Sequence, residues 1–288
     1  LQNQADTKIN VAWTGMQKNA GELLSVAQDL LIENSGLRIS VKEDAKLFQN
    51  PSPYKVFSKW PEGDYSPSRD EDWFLRVAEV ELNHYFTACN GYGHTGAKTV
   101  KDYYAATTGK DANGDRKRKI FTEIVRNLHD DGDVQVLSAY RAFCDKVSEE
   151  SANSFNDKIK KRFSALKNKV DMVDAYSDLV AFFFRLDQDA HILCGIENGQ
   201  AFAILVDTLD DWKKKFSLTG IEAKSLSAGQ PEVLIAFNFV DKRSKKVFDL
   251  SIKAEVRWSH GKFCGNPESK LYRYGNWTYP SLPWVVSI

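Results

Sequence analysis

The chain has 288 residues, enough for one large domain or two small ones, and its 39 basic side chains balance 39 acidic ones. This neutral balance excludes nucleic-acid binding by bulk electrostatic attraction, so any such binding must come from local patches. No run of about 18 apolar residues is present, and the polar N-terminus and four scattered cysteines predict a cytoplasmic protein with no membrane segment, signal peptide or disulfide framework.

Hydrophobic residues recur at helical spacing through most of residues 1–185. In residues 19–33, for example, Leu23, Val26 and Leu30 fall on one face, which predicts an amphipathic helix. A short strand and a proline-rich stretch interrupt this pattern. The predicted elements of this region, in chain order, are a helix at 19–33, a strand at 37–41, irregular chain at 50–67, a helix at 70–89, a loop at 90–96 and further helices between 118 and 185.

After Arg185 the spacing changes to the two-residue alternation of strands. An Asn-Gly turn at 198–199 joins two such stretches and predicts a β-hairpin. The order of elements predicts an α+β fold, in which a helix-rich region of residues 1–185 packs on a C-terminal mixed sheet of about five to six strands in residues 186–288. The predicted strands are at 191–196, 200–206, 220–224, 232–240, 247–258 and 271–277, with a short helix at 210–216.

The hairpin at 231–258 is the strongest candidate for a functional site. Its second strand alternates apolar residues with Asp249, Ser251, Lys253, Glu255 and Arg257, so one face is apolar and the other polar. If the turn pairs residue 241 with residue 246, Glu232 lies opposite Glu255, and Lys253 lies one pair further along the same face. A shift of one residue would move Glu232 to the other face, so the prediction depends on the register.

Two facing carboxylates repel each other unless a cation or a proton lies between them. Carboxylate oxygens of this kind suit Mg²⁺, which takes one or two carboxylates together with phosphate and water. A neighbouring lysine can orient a water molecule or offset the charge of a phosphate. The cluster therefore favours metal-dependent phosphodiester hydrolysis, and the alternative is an ordinary solvated strand face with cross-strand ion pairs.

The spacing of these residues resembles the signature of the PD-(D/E)xK nuclease superfamily, which includes many type II restriction endonucleases. Pro231-Glu232 is followed, after 18 intervening residues, by Ser251-Ile252-Lys253. The resemblance implies that Glu232 is the first acid and Lys253 the lysine. Ser251 replaces the usual second acid, and Glu255 on the same strand face compensates for it.

The resemblance further implies a Mg²⁺-dependent endonuclease that cleaves double-stranded DNA at specific sequences. Glu232 and Glu255 would hold the metal with Asp249 nearby, and Lys253 would position the attacking water. A homodimer is expected, because a two-fold enzyme matches a two-fold site. The alternative is a non-catalytic module that binds DNA or another protein.

The segment that follows the hairpin is rich in groups that contact nucleic acid. Arginine and lysine bind phosphates or guanine edges, asparagine binds adenine, and glycines permit close backbone approach. The predicted DNA-binding residues are Arg257, Trp258, His260, Lys262, Asn266 and Lys270.

A second acid-x-Lys triplet lies upstream, where Glu222 and Lys224 flank Ala223. It matches the superfamily pattern more literally than Ser251-Ile252-Lys253 does. The stretch before it, 210–216, is predicted to be helical instead of forming a hairpin strand. The pair is therefore the alternative catalytic site, and Ser40-Val41-Lys42 is a weaker third candidate.

Overall fold

The computed structural model of the protein describes residues 10–13, 30–43, 47–58, 72–91, 94–110, 117–164, 172–186, 190–197, 199–227 and 229–288. The described α-helices are α1 (Trp73–Asn90), α2 (Val100–Ala106), α3 (Lys119–Asp130), α4 (Val134–Ser164), α5 (Met172–Phe184) and α6 (Leu209–Lys215), and there is also a π-helix at Tyr54–Ser58 and a 3₁₀ helix at Tyr279–Ser281. The described strands are β1 (Val11–Trp13), β2 (Leu30–Ile32), β3 (Leu37–Glu43), β4 (Leu47–Gln49), β5 (His191–Glu197), β6 (Gln200–Val206), β7 (Phe216–Ser227), β8 (Pro231–Asp241), β9 (Val247–Trp258), β10 (Pro267–Tyr274) and β11 (Val285–Ser287). The predicted α+β class is confirmed, with helices mainly in the first part of the chain and strands mainly in the last.

The described strands form two sheets, where the sequence predicted one. A six-stranded sheet has the order β1-β2-β3-β5-β6-β11, and a five-stranded sheet has the order β4-β10-β9-β8-β7. Each sheet combines strands from before and after residue 185, because β3 pairs in parallel with β5 and β4 pairs with β10. The predicted division into residues 1–185 and 186–288 therefore does not separate the sheets, because each part contributes strands to both of them.

The helix predicted at 19–33 is wrong at its C-terminal end. Leu30–Ile32 is a strand that pairs with β3, and residues 33–36 form the turn between them. A short apolar run cannot be assigned to helix or strand by periodicity alone, and here the neighbouring strand decides. The rest of that predicted helix lies outside the described residues. The strand predicted at 37–41 is confirmed as part of β3.

The helices cover the apolar face of the five-stranded sheet. Phe237 of β8 meets the rings of Phe183 and Phe184 from α5, at centroid distances of 5.1 and 5.0 Å. Trp258 at the end of β9 stacks on Phe143 of α4 at 5.5 Å. Burying one such side chain contributes about 1.5–3 kcal/mol, so this layer accounts for much of the driving force for folding. No helix in the described ranges is both long enough and apolar enough to cross a bilayer.

A buried ion pair ties the two sheets together. Arg273 of β10 contacts Glu197 at the end of β5, and both side chains are less than a tenth exposed. The amide of Tyr279 also donates to Glu197 Oε2 at 3.3 Å, and Arg273 donates to the carbonyl of Trp277 at 3.2 Å. Charges in a dry interior need such partners, so this cluster fixes how the sheets meet.

Two titratable groups, one buried and one half-buried, respond to pH in opposite directions. Asp72 caps the N-terminus of α1, with Oδ1 accepting from the amide of Phe74 at 2.8 Å, and burial raises its pKa from 3.8 to about 6. His129 at the end of α3 lies 2.8 Å from the hydroxyl of Tyr85, and burial lowers its pKa from 6.5 to about 4. The stability contributed by Asp72 is present at low pH and is lost as pH rises through 6, whereas that of His129 is lost as pH falls through 4.

We expect these two dependences to offset each other between about pH 4 and 6, and single substitutions to reveal them. Relative to wild type, Asp72→Asn should gain stability as pH rises, because the carboxylate no longer has to ionise in the core. His129→Gln should lose stability relative to wild type over the same range. Each difference should change by at most about 1.4 kcal/mol per pH unit. Urea unfolding at several pH values measures it, and a pH-independent difference for both variants would contradict the assignment.

Candidate active site

The register of the β8–β9 hairpin agrees with the sequence prediction. Glu232 pairs with Glu255, and Leu234 pairs with Lys253. The turn is closed by a hydrogen bond from the amide of Asp241 to the carbonyl of Lys246, at 2.9 Å. Directly paired residues point to the same side of a sheet, so both carboxylates and the lysine share one face.

Strand β10 extends this face with Lys270, which was among the predicted DNA contacts, and with Glu268 and Tyr272, which were not assigned to the site. Lys270 lies opposite Glu255, Tyr272 opposite Lys253, and Glu268 opposite Arg257. The two-residue alternation of these three positions in β10 is a signal that sequence reasoning could have used. We call the resulting surface the polar face: Glu232, Lys253, Glu255, Arg257, Glu268, Lys270 and Tyr272.

Each carboxylate of the facing pair has a cation beside it. Lys253 Nζ lies 2.6 Å from Glu232 Oε1, and it also lies 5.3 Å from the centre of the Tyr272 ring. Arg257 lies 3.7 Å from Glu255 Oε1 and 3.2 Å from Glu268 Oε1. The closer lysine contact makes Glu232–Lys253 the tighter ion pair, and the looser contact leaves Glu255 with more capacity to bind another cation.

Burial separates this pair of carboxylates from an ordinary solvated strand face. Glu232 and Glu255 are each 9% exposed, although they lie on the polar side of the sheet. Helix α4 reaches this end of the sheet, where Ser148 Oγ accepts from the amide of Glu232 at 2.9 Å. Burial raises the pKa of Tyr140 on the same helix, and the negative charge of Glu255 adds to the rise. The carboxylates therefore lie in a corner from which water is largely excluded.

Asp249 does not join this corner. It lies six residues from Glu255 along β9, which is about 20 Å in a strand. Its carboxylate accepts a hydrogen bond from Asn238 at 2.5 Å, at the far end of the hairpin. The expectation that Asp249 lies near the metal is corrected, because strand geometry keeps it away.

The donor set suits a metal that needs few protein ligands. Within the described residues, no group of three or more His, Cys, Asp or Glu side chains is placed to hold a metal ion. Two facing carboxylates with little water around them do fit Mg²⁺, which commonly completes its shell with water and substrate phosphate. Glu232 and Glu255 are thus the residues that would hold it.

The loop between β9 and β10 is held by its own backbone and by the core. The amide of Ser259 donates to the carbonyl of Asn266, and that of His260 to the carbonyl of Cys264. Phe263 at the tip is fully buried and contacts Tyr85, Phe86, Phe121 and Trp258, at centroid distances of 5.0 to 5.6 Å. The loop is therefore anchored between α1 and α3 and does not project freely.

Two of the predicted DNA contacts are turned inward. Trp258 is 5% exposed, and its ring nitrogen donates to the hydroxyl of Tyr104 at 3.0 Å, so the prediction that it contacts DNA is wrong. Lys262 Nζ lies 4.8 Å from the centre of the Tyr140 ring, and burial lowers the pKa of Lys262. The surface positions that remain for contacts with a ligand are Arg257, His260, Asn266 and Lys270.

The alternative triplet lies on the same side of the five-stranded sheet but at its edge. Glu222 pairs with Ala236 of β8, and Lys224 pairs with Leu234. Their side chains are 60% and 66% exposed and lie 3.1 Å apart. The segment before them is helical as predicted, in α6. An exposed ion pair of this kind contributes little to stability and needs no functional explanation.

These features define an α+β protein with a desolvated carboxylate pair and a lysine on one sheet face. We compared the chain with protein-family models, with curated proteins and with solved structures, and none of them matches.

Proposed function

We propose that the protein is a Mg²⁺-dependent endonuclease that hydrolyses phosphodiester bonds of double-stranded DNA. The observation that carries the proposal is the corner formed by Glu232, Glu255 and Lys253. The two carboxylates are directly paired and buried, and the lysine lies 2.6 Å from one of them. The contact between Arg257 and Glu255 is loose, so a divalent cation between the two buried carboxylates would stabilise them further.

The residues of the corner have separate roles in this proposal. Glu232 and Glu255 bind Mg²⁺, and the ion, when bound, offsets charge on the phosphate and lowers the pKa of a coordinated water. Lys253 orients the attacking water and stabilises the negative charge that develops on the phosphate. The ring of Tyr272 packs against the ammonium group of Lys253 and restricts the conformations of that side chain.

Contacts to the DNA backbone would come from the cations at the rim of the polar face. The side chain of Arg257 is 41% exposed, and Lys270 lies diagonally from it on β10, opposite Glu255. His260 and Asn266 in the anchored loop are exposed as well. A rigid loop favours sequence-specific contacts, because little entropy is lost when it binds. In this proposal, these residues also recognise a particular DNA sequence.

The direct test is cleavage by the purified full chain. DNA of high sequence complexity should be cut at discrete sites in Mg²⁺ and should stay intact in EDTA. If the DNA stays intact in Mg²⁺ but is bound, the protein is a non-catalytic binding module. If cutting continues in EDTA, the hydrolysis is metal-independent. Either result overturns the proposal.

A further inference from the structure

A half-buried lysine lies outside the Glu232–Glu255–Lys253 corner, in the loop between β9 and β10. Lys262 is fixed through its backbone, because its carbonyl accepts from Thr122 Oγ1 of α3 at 2.9 Å. The next residue, Phe263, is fully buried, and a Cβ at Gly261 would lie 2.6 Å from the methyl group of Thr122. The loop therefore packs tightly against α3, and the lysine side chain extends from a fixed position.

Aromatic and titratable side chains surround the ammonium group of Lys262. Its Nζ lies 4.8 Å from the centre of the Tyr140 ring on α4. The Tyr140 ring contacts that of His129 on α3, edge to face, at 4.8 Å, and the Tyr85 hydroxyl of α1 lies 2.8 Å from His129 Nε2. Two buried thiols also act electrostatically on the lysine and complete what we call the lysine cluster: Tyr85, Cys89, His129, Tyr140, Cys144 and Lys262.

No negative charge in this cluster balances the ammonium group. Among the residues with described positions, none forms an ion pair or a hydrogen bond with Lys262 Nζ. Burial raises the pKa of Cys89 and Cys144 to about 12, so both thiols stay uncharged near neutral pH. The neighbouring charges of Asp130 and Arg126 on α3 have opposite signs and shift the pKa of Lys262 in opposite directions. A half-buried lysine without a paired anion loses its proton more readily than a lysine in water.

We propose that Lys262 is a nucleophilic amine that binds a small uncharged aldehyde covalently, as a Schiff base. The neutral amine attacks the carbonyl carbon, and the resulting carbinolamine loses water to form the imine. A carbon–nitrogen double bond replaces the carbon–oxygen double bond, and the two amine hydrogens leave with the carbonyl oxygen. The reaction therefore needs no oxidant, reductant or metal ion. The aromatic rings beside the amine favour an aldehyde with an apolar body.

The acid–base properties of the cluster support this chemistry. Burial lowers the pKa of Lys262 from its usual 10.5, and the positive charge of Arg126 lowers it further. Burial also lowers the pKa of His129 to about 4, so its ring is uncharged near neutral pH and does not add to the positive charge of the cluster. The inference does not depend on the proposed nuclease activity, because it involves different residues and no metal ion.

The test is labelling of the full chain with benzaldehyde and sodium cyanoborohydride, which reduces the imine to a stable secondary amine. Peptide mapping by mass spectrometry gives the labelling rate of each lysine. At neutral pH, Lys262 should be labelled several-fold faster than two lysines that serve as comparisons. The side chain of Lys253 is 25% exposed but is ion-paired with Glu232 at 2.6 Å, and Lys245 is exposed in the β8–β9 turn. If Lys262 reacts no faster than either of them, the proposal is wrong.

Two further measurements assign the reactivity to this amine. Lys262→Met keeps an apolar side chain of similar length and should abolish the fast phase of labelling, whereas Lys245→Met should retain it. Trace acetylation with acetic anhydride, which reacts only with the free amine, gives the pKa of each lysine when it is repeated over a range of pH. The midpoint for Lys262 should lie below that for Lys245. A fast phase that survives in Lys262→Met, or a midpoint for Lys262 that is not lowered, overturns the proposal.

Discussion

Lys253→Ala should reduce Mg²⁺-dependent DNA cleavage by about 100- to 10,000-fold, the range for removing a group that acts in proton transfer or charge stabilisation. DNA binding, measured in EDTA, should change little, because Lys253 lies inside the corner beside Glu232 and not at the rim. The substitution also leaves a buried carboxylate without its cation, which should cost about 1–3 kcal/mol of stability. Cleavage rates should therefore be measured well below the melting temperature.

Two further variants separate chemistry from stability. Lys253→Arg keeps the positive charge next to Glu232 but replaces the compact ammonium group with a wider planar guanidinium that cannot orient the water in the same way, so the fold should persist while cleavage stays low. Lys224→Ala removes the matching lysine of the exposed triplet and should change neither stability nor cleavage appreciably. If Lys224→Ala abolishes cleavage and Lys253→Ala does not, the site is the Glu222–Lys224 pair. If neither variant affects cleavage, then neither Lys224 nor Lys253 takes part in the reaction.

Phe263→Ala should lower the free energy of unfolding by about 3–5 kcal/mol, the cost of a cavity left by a fully buried phenylalanine. The ring joins the β9–β10 loop to α1 and α3, so its removal loosens both the core and the loop. Phe263 has φ of +60°, a left-handed conformation that alanine does not relieve. Denaturant unfolding followed by intrinsic tryptophan fluorescence gives the difference.

Phe263→Leu is the matched control, since it keeps most of the apolar volume and should cost less than about 1.5 kcal/mol. Val134→Ala, at an exposed position, should fall within about 0.5 kcal/mol of wild type. A loss below 1 kcal/mol for Phe263→Ala would contradict the anchoring role. A stable Phe263→Ala variant that binds DNA normally would also show that the rigidity of this loop does not serve recognition.

The strands that carry the candidate site could be predicted from the sequence, because the patterns that define them are local. Two-residue alternation in β9 separates Lys253 and Glu255 from the apolar residues between them, and the polar turn after Asp241 sets the register. Side-chain alternation is a property of the extended backbone itself, so a correct turn is enough to place Glu232 opposite Glu255.

Burial and the long-range pairings needed the tertiary structure. Strand alternation assigns Trp258 to the apolar face, but only the packing of α4 and the nearby Tyr104 shows that its ring nitrogen is turned away from solvent. The division into two sheets also escaped prediction, because it follows from the pairing of β3 with β5 and of β4 with β10. Such pairings join residues far apart in the chain, and no local pattern records them. For this protein the sequence by itself determined the α+β class and the Glu232–Glu255 register, whereas only the tertiary structure showed that these two carboxylates are buried, because strand alternation places a side chain on a face but does not record what packs around it.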